Sequence, residues 1–130
     1  VGMKITKIFD TKGEIFFREL EEKITLKILQ KNNSVISLGG GTFLNNAVKK
    51  EVLKNNISFW LNWDTKTLVD RIKNSSKRPL AVKSSRKELI ELINKRSELY
   101  SKALYKINCE NMSKNEIVTK ILNIYENDET

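Results

Sequence analysis

Val35-Ile36-Ser37-Leu38-Gly39-Gly40-Gly41-Thr42 is an apolar, largely β-branched run that empties into three consecutive glycines. Three of the five glycines in the chain stand here. A β-branched run closed by glycine reads as a buried strand. The glycines after it open backbone conformations denied to other residues and let a ligand approach the main chain closely. A tight strand-to-helix turn without a ligand is the plainer reading of the same residues. The choice between the two depends on arginines elsewhere in the chain and on a loop that the chain lacks.

Outward from this run, strand-like and helix-like periods alternate. Before it, Ile15, Phe16, Leu20, Ile24, Ile28 and Leu29 recur at helical spacing, which predicts an amphipathic helix over 13–31. After it, Ala47, Val48, Val52 and Leu53 predict a helix over 45–55, followed by the aromatic-rich strand Ile57-Ser58-Phe59-Trp60-Leu61-Asn62-Trp63. Asp64 or Thr65 caps a helix carrying Leu68, Val69 and Ile72. Residues 74–85 have no apolar period and contain the only proline, Pro79, which predicts a loop of about a dozen residues, a length associated with function. Helix returns over 86–101 with Leu89, Ile90, Leu92, Ile93 and Leu99 inside, and 105–109 is a short strand. Ser113 and Glu116 form a capping box that starts the last helix, 115–125, and the acidic end from Glu126 to Glu129 is expected to fray. Alternation of this kind predicts parallel βαβ units with right-handed crossovers, in a single domain spanning 1–130.

Composition narrows the chemistry. A chain of 130 residues, 31% charged and 39% hydrophobic, is large enough for one real core and has the balance of a soluble globular protein. No apolar run reaches membrane-spanning length and no signal-peptide pattern opens the chain, so a cytoplasmic location without a membrane partner is expected. The lone Cys109 excludes an internal disulfide, and with no histidine present a metal held by protein nitrogen or sulfur is excluded. A net charge of +8 invites nucleic acid. Single-strand binders, however, interleave aromatics with their charges, whereas Phe59, Trp60 and Trp63 sit together in one strand, so no nucleic-acid partner is expected.

Four features then fall in a fixed order: Phe17-Arg18 with Glu21, the three glycines, Arg71 followed by Arg78-Pro79-Leu80, and Arg96 with Leu99-Tyr100. In that order and spacing the chain resembles the shikimate kinase family over nearly its whole length. The resemblance implies an α/β, P-loop-kinase-like three-layer fold, a parallel sheet with helices on both faces, and transfer of the γ-phosphate of ATP to the 3-hydroxyl of shikimate. It also implies roles. Arg18 and Arg96 bind the substrate carboxylate, for which a planar, bidentate guanidinium is suited. Gly39, Gly40 and Gly41 meet the ring hydroxyls through backbone amides, Phe9 and Phe17 form apolar walls, and Glu21 orients an arginine. Arg71 stacks on adenine, and Arg78 is the arginine of a lid at about 74–86, where a delivered cation suits phosphoryl transfer. Tyr100 is read equally well as packing.

The family's Gly-x-x-x-x-Gly-Lys-Ser/Thr loop, which cradles the phosphates of ATP, does not occur in these residues, nor do the acidic residues that help to hold Mg²⁺. Val1-Gly2-Met3-Lys4-Ile5 resembles the interior of the family pattern, so the expectation is a chain lacking the first two strands and the P-loop, inactive by itself. The absent first strand would lie between residues 35–38 and 57–63. Its loss predicts direct pairing of those strands, pairing between chains of a family that is usually monomeric, or poor independent stability. Two alternatives stay open: an inactive shikimate-kinase-like binding module, and a related small-metabolite kinase such as gluconate kinase.

Overall fold

A computed structural model describes residues 5–74 and 84–128, with residues 5–12 described by their backbone alone. Their contacts group into two compact units, Val1–Asn56 and Ile57–Thr130.

The first unit is helical. Helix α1, Ile5–Leu29, begins well before the expected start at 13 and is interrupted at Gly13, whose φ of 86° and ψ of 170° leave helical geometry. Only glycine takes such a backbone conformation without strain, so Gly13 marks the joint between two helical pieces. Residues 30–41 run on without regular structure to a 3₁₀ turn, Thr42–Leu44, and to α2, Asn46–Asn55. Asn45 caps α2 through its side chain, which accepts from the Val48 amide at 3.0 Å. Helix α1 packs against α2, and Leu29, Phe43, Val48 and Val52 are buried.

Residues 35–38, read from sequence as the first strand, make no sheet pairing among the described residues. A strand's hydrogen bonds all lie with a neighbour, and apolar alternation alone creates no partner. Val35 is fully exposed while Ile36 and Leu38 are half-buried, so the two-residue alternation survives without the ladder. Direct pairing, one of the three expected consequences of a missing strand, does not occur among the described residues.

The second unit holds the sheet. Strands β1, Phe59–Asn62, and β2, Tyr105–Asn108, pair in parallel with Phe59 opposite Tyr105 and Leu61 opposite Ile107. Helices α3, Thr65–Lys73, and α4, Arg86–Tyr100, lie between the strands in sequence and pack on each other, with Val69 and Leu89 buried. Helix α5, Lys114–Glu126, follows β2. On one face of the sheet Ile107 and Cys109 are buried with Ile117, and Phe59, Trp63, Met112, Ile121 and Ile124 pack around them. The helix starts follow the sequence closely. Asp64 accepts from Thr67 at 3.0 Å, and both Ser85–Glu88 and Ser113–Glu116 close reciprocal capping boxes. The acidic end is held more than expected, since Asp128 donates its amide to the Tyr125 carbonyl at 3.3 Å and its carboxylate meets Tyr105. That contact, after desolvation, pushes the Tyr105 hydroxyl above its usual range.

Candidate functional site

Arg18 and Glu21 stand three residues apart on α1, a spacing that places them on one helix face. The Arg18 Nη1 donates to Glu21 Oε1 at 3.0 Å, and the guanidinium carbon sits 5.2 Å from the centre of the Phe17 ring. Arg18 keeps 42% of its side-chain surface exposed and Glu21 keeps 21%. The arginine is therefore fixed in direction yet reachable from solvent.

The glycine turn comes directly against this pair. Thr42 donates its amide to Gly39 at 3.1 Å, Leu44 to Gly41 at 3.2 Å and Asn45 to Thr42 at 3.2 Å, so the backbone coils tightly from 39 to 45. A Cβ at Gly41 would lie 3.3 Å from Arg18 Nη1 and 3.5 Å from both Cζ and Nη2. Near-equal distances to the carbon and both terminal nitrogens mean that the broad side of the guanidinium faces Gly41. A Cβ at Gly39 would meet Thr42 Oγ1 at 3.1 Å and Glu21 Oε2 at 3.8 Å. Arg18, Glu21 and the residues 39–41 are thus brought together in one place, and Phe17 joins them through Arg18. A shallow groove of about 350 Å³ runs along the same helix, lined by Glu14, Ile15, Arg18, Glu19, Glu22 and Asn45. Its three carboxylates repel an anion. On the side towards the glycines, the carboxylate beside Arg18 is that of Glu21, already paired with it.

Arg96 and Arg71 belong to the second unit and are described there. Arg96 lies half-buried on α4, and its Nε is buried with no hydrogen-bond partner among the described residues. A buried donor left unpaired is costly, so such an atom calls for an acceptor. Arg71, exposed in the last turn of α3, holds its guanidinium 5.0 Å from the centre of the Trp63 ring, a cation–π stack across the strand-to-helix junction. Tyr100 packs its ring 6.2 Å from that of Trp60, in keeping with the packing role allowed for it. The side chain of Phe9 and all of Arg78, with most of the expected lid, lie outside the described residues.

Perturbed ionisation falls on caps and core. Hydrogen bonds from Thr67 hold the Asp64 carboxyl below its usual value, and those from Ser85 do the same for Glu88. Burial pushes the Cys109 thiol up, which makes it an inert core group. The sequence reading missed Glu22, Asn45 and Trp63. Asn45 Nδ2 donates to Glu22 Oε2 at 2.8 Å across 23 residues of sequence, a partnership that spacing does not reveal. For Trp63 a signal existed, an aromatic side chain just ahead of a helix that carries arginine in its last turn.

A parallel strand pair separated in sequence by helices defines an α/β protein. Among solved structures, shikimate kinase from Bacteroides thetaiotaomicron at 1.7 Å resolution matches 95% of this chain and 73% of its own, with a TM-score of 0.74 and 25% identity. The fold class is therefore that of the P-loop-like small-molecule kinases. The family model for shikimate kinase matches residues 1–126, and the chain belongs to the shikimate kinase family. Its similarity to the shikimate kinase of Persephonella marina is 37% identity over 121 residues, covering 93% of this chain and 73% of the relative. With the enzyme of Bartonella henselae it is 34%, covering 92% and 58%. With that of Thermodesulfovibrio yellowstonii it is 35% over 126 residues, covering 96% and 73%. Members of this family are ATP-dependent kinases that phosphorylate shikimate in aromatic amino-acid biosynthesis. No helix among the described residues is long and apolar enough to cross a membrane.

Proposed function

We propose that this chain supplies the shikimate-binding part of an ATP-dependent shikimate kinase, with Arg18 and Arg96 each contributing to recognition of the carboxylate. The supporting observation is the Arg18 guanidinium, fixed at 3.0 Å by Glu21 and turned broadside to Gly41. A pinned guanidinium loses little freedom on binding and offers a fork of donors that matches a carboxylate. Beside it, the residues 39–41 offer a side-chain-free backbone for the ring hydroxyls, and Phe17, with Phe9, gives the apolar wall. The unpaired Nε of Arg96 supports the same reading from the second unit.

For the nucleotide, the residues present suit one end only. Arg71, backed by Trp63 and open to solvent, suits adenine, and Arg78 is assigned to the lid. The triphosphate has no glycine-lysine cradle in this sequence, and no cluster among the described residues suits Mg²⁺. No transfer step is assigned to this chain's own residues, and as a 130-residue protein it binds shikimate without turning over ATP. The same reading makes residues 1–130 one functional domain, acting in the cytoplasm, with the sheet edges left unpaired among the described residues open to self-association.

Isothermal calorimetry with shikimate tests this. Saturable binding that falls about tenfold or more in Arg18→Ala and in Arg96→Ala is expected, since a charge-assisted pair contributes about 1.5–3 kcal/mol. Binding indifferent to both substitutions contradicts it.

A further inference from the structure

The Asn45 amide is used at both ends. Its Oδ1 accepts from the Val48 amide at 3.0 Å, and its Nδ2 donates to Glu22 Oε2 at 2.8 Å. The chemistry fixes this orientation, because an N–H requires the oxygen and a carboxylate requires the nitrogen. Asn45 also closes the turn from the glycines, with its own amide on the Thr42 carbonyl. Glu22 stands four residues beyond Arg18, on the same face of α1, and the two line one groove. The turn therefore meets α1 at two levels: the open side of Gly41 faces the Arg18 guanidinium, and one helical turn further on Asn45 is hydrogen-bonded to Glu22. The first is proximity alone, which sets no direction. The second is directional and charge-assisted, and it stops the turn from sliding along or lifting off the helix.

We infer that Glu22 and Asn45 are a positioning pair that holds the glycine turn against the Arg18 guanidinium, and so sets the geometry in which a carboxylated ring is bound. The inference rests on the substrate reading above for its ligand, but the tie itself is a property of the chain. Glu21 fixes the direction of Arg18; Glu22, its neighbour in sequence, fixes the distance of the surface opposite.

Three variants separate positioning from capping and from charge. Asn45→Ser keeps an oxygen to cap α2 but is too short to reach Glu22. Glu22→Ala removes the acceptor, and Glu22→Gln retains a carbonyl oxygen for Asn45. In isotope-labelled 130-residue chain, the nuclear Overhauser effect between the Arg18 side chain and the Gly41 Hα reports the turn directly. It is expected in the native chain and in Glu22→Gln, and lost in Asn45→Ser and Glu22→Ala. Shikimate affinity is expected to fall about fivefold in the latter two, the worth of one hydrogen bond, and to recover in Glu22→Gln. Unchanged Overhauser intensity in Asn45→Ser and Glu22→Ala overturns the inference, as does a Glu22→Gln chain as impaired as Glu22→Ala. If the Overhauser pattern follows expectation while the native chain binds no shikimate, the positioning pair stands and the substrate reading fails.

Discussion

Gly39→Ala and Gly41→Ala add the same methyl group two residues apart, and the structure predicts opposite consequences. Neither glycine has a positive φ, so alanine meets no backbone strain at either site. Where alanine is compatible, it stabilises by about 0.4–1 kcal/mol through the unfolded chain. At Gly39 the new Cβ lies 3.1 Å from the Thr42 hydroxyl, and Thr42 is 3% exposed, enclosed on all sides. The hydroxyl must yield by a few tenths of an ångström where it has no room, and overpacking of this kind costs about 1–3 kcal/mol. The net effect is a loss of roughly 0.5–2 kcal/mol. At Gly41 the methyl meets Arg18, whose side chain is 42% exposed and can swing outward. Its stability should stay within about 0.5 kcal/mol of the native chain or rise slightly. The cost appears instead in recognition, because an arginine moved by that amount stretches its 3.0 Å bond to Glu21 and leaves its place beside the turn. Urea denaturation followed by far-ultraviolet circular dichroism reads the helices of both units, and the two tryptophans, Trp60 and Trp63, follow the second unit alone, so the first effect is the part of the dichroism transition that fluorescence does not share. Gly41→Ala destabilising as much as Gly39→Ala would refute the idea that the added methyl meets a side chain free to swing away.

In the second unit, Ile107→Ala empties a fully buried position beneath α5 and should cost about 2–5 kcal/mol, read as a lower denaturation midpoint of tryptophan fluorescence. Asp64 and Glu88 have depressed carboxyl pKa values against ordinary ones of 3.8 and 4.5. Their stabilising contribution is present above those values and is lost as pH falls through the lower, folded ones. Acid titration should therefore leave the second unit steady from neutrality to about pH 5 and weaken it below about pH 4, with the Asp64→Asn, Glu88→Gln variant showing a shallower decline; an equal decline contradicts this. Cys109, fully buried and with a raised thiol pKa, should react with a disulfide reagent only as fast as the second unit opens, and at once in urea.

How far the sequence carries depends on the range of the interaction. Caps are local, so Asp64 and the Ser113–Glu116 box could be read directly, and the strand pair at 59–62 and 105–108 follows from aromatic and β-branched runs. Residues 35–38 have the same local signature and yet form no ladder among the described residues, because pairing is decided by a neighbour rather than by the run itself. The Arg18–Glu21 pair is legible as an i, i+3 spacing. The Glu22–Asn45 bond is not, since it depends on how two elements far apart in sequence meet. The start of α1 was misplaced because glycine in a helical stretch reads as a boundary, while here helix continues on both sides of Gly13.

The most direct test is a shikimate titration of the ¹⁵N-labelled chain followed by amide and guanidinium resonances. Saturable shifts are expected at Gly39, Gly40 and Gly41 and at the side chains of Arg18 and Arg96, abolished in Arg18→Ala. Shifts confined to other residues, or saturable shifts at the glycines that persist without Arg18, would contradict it.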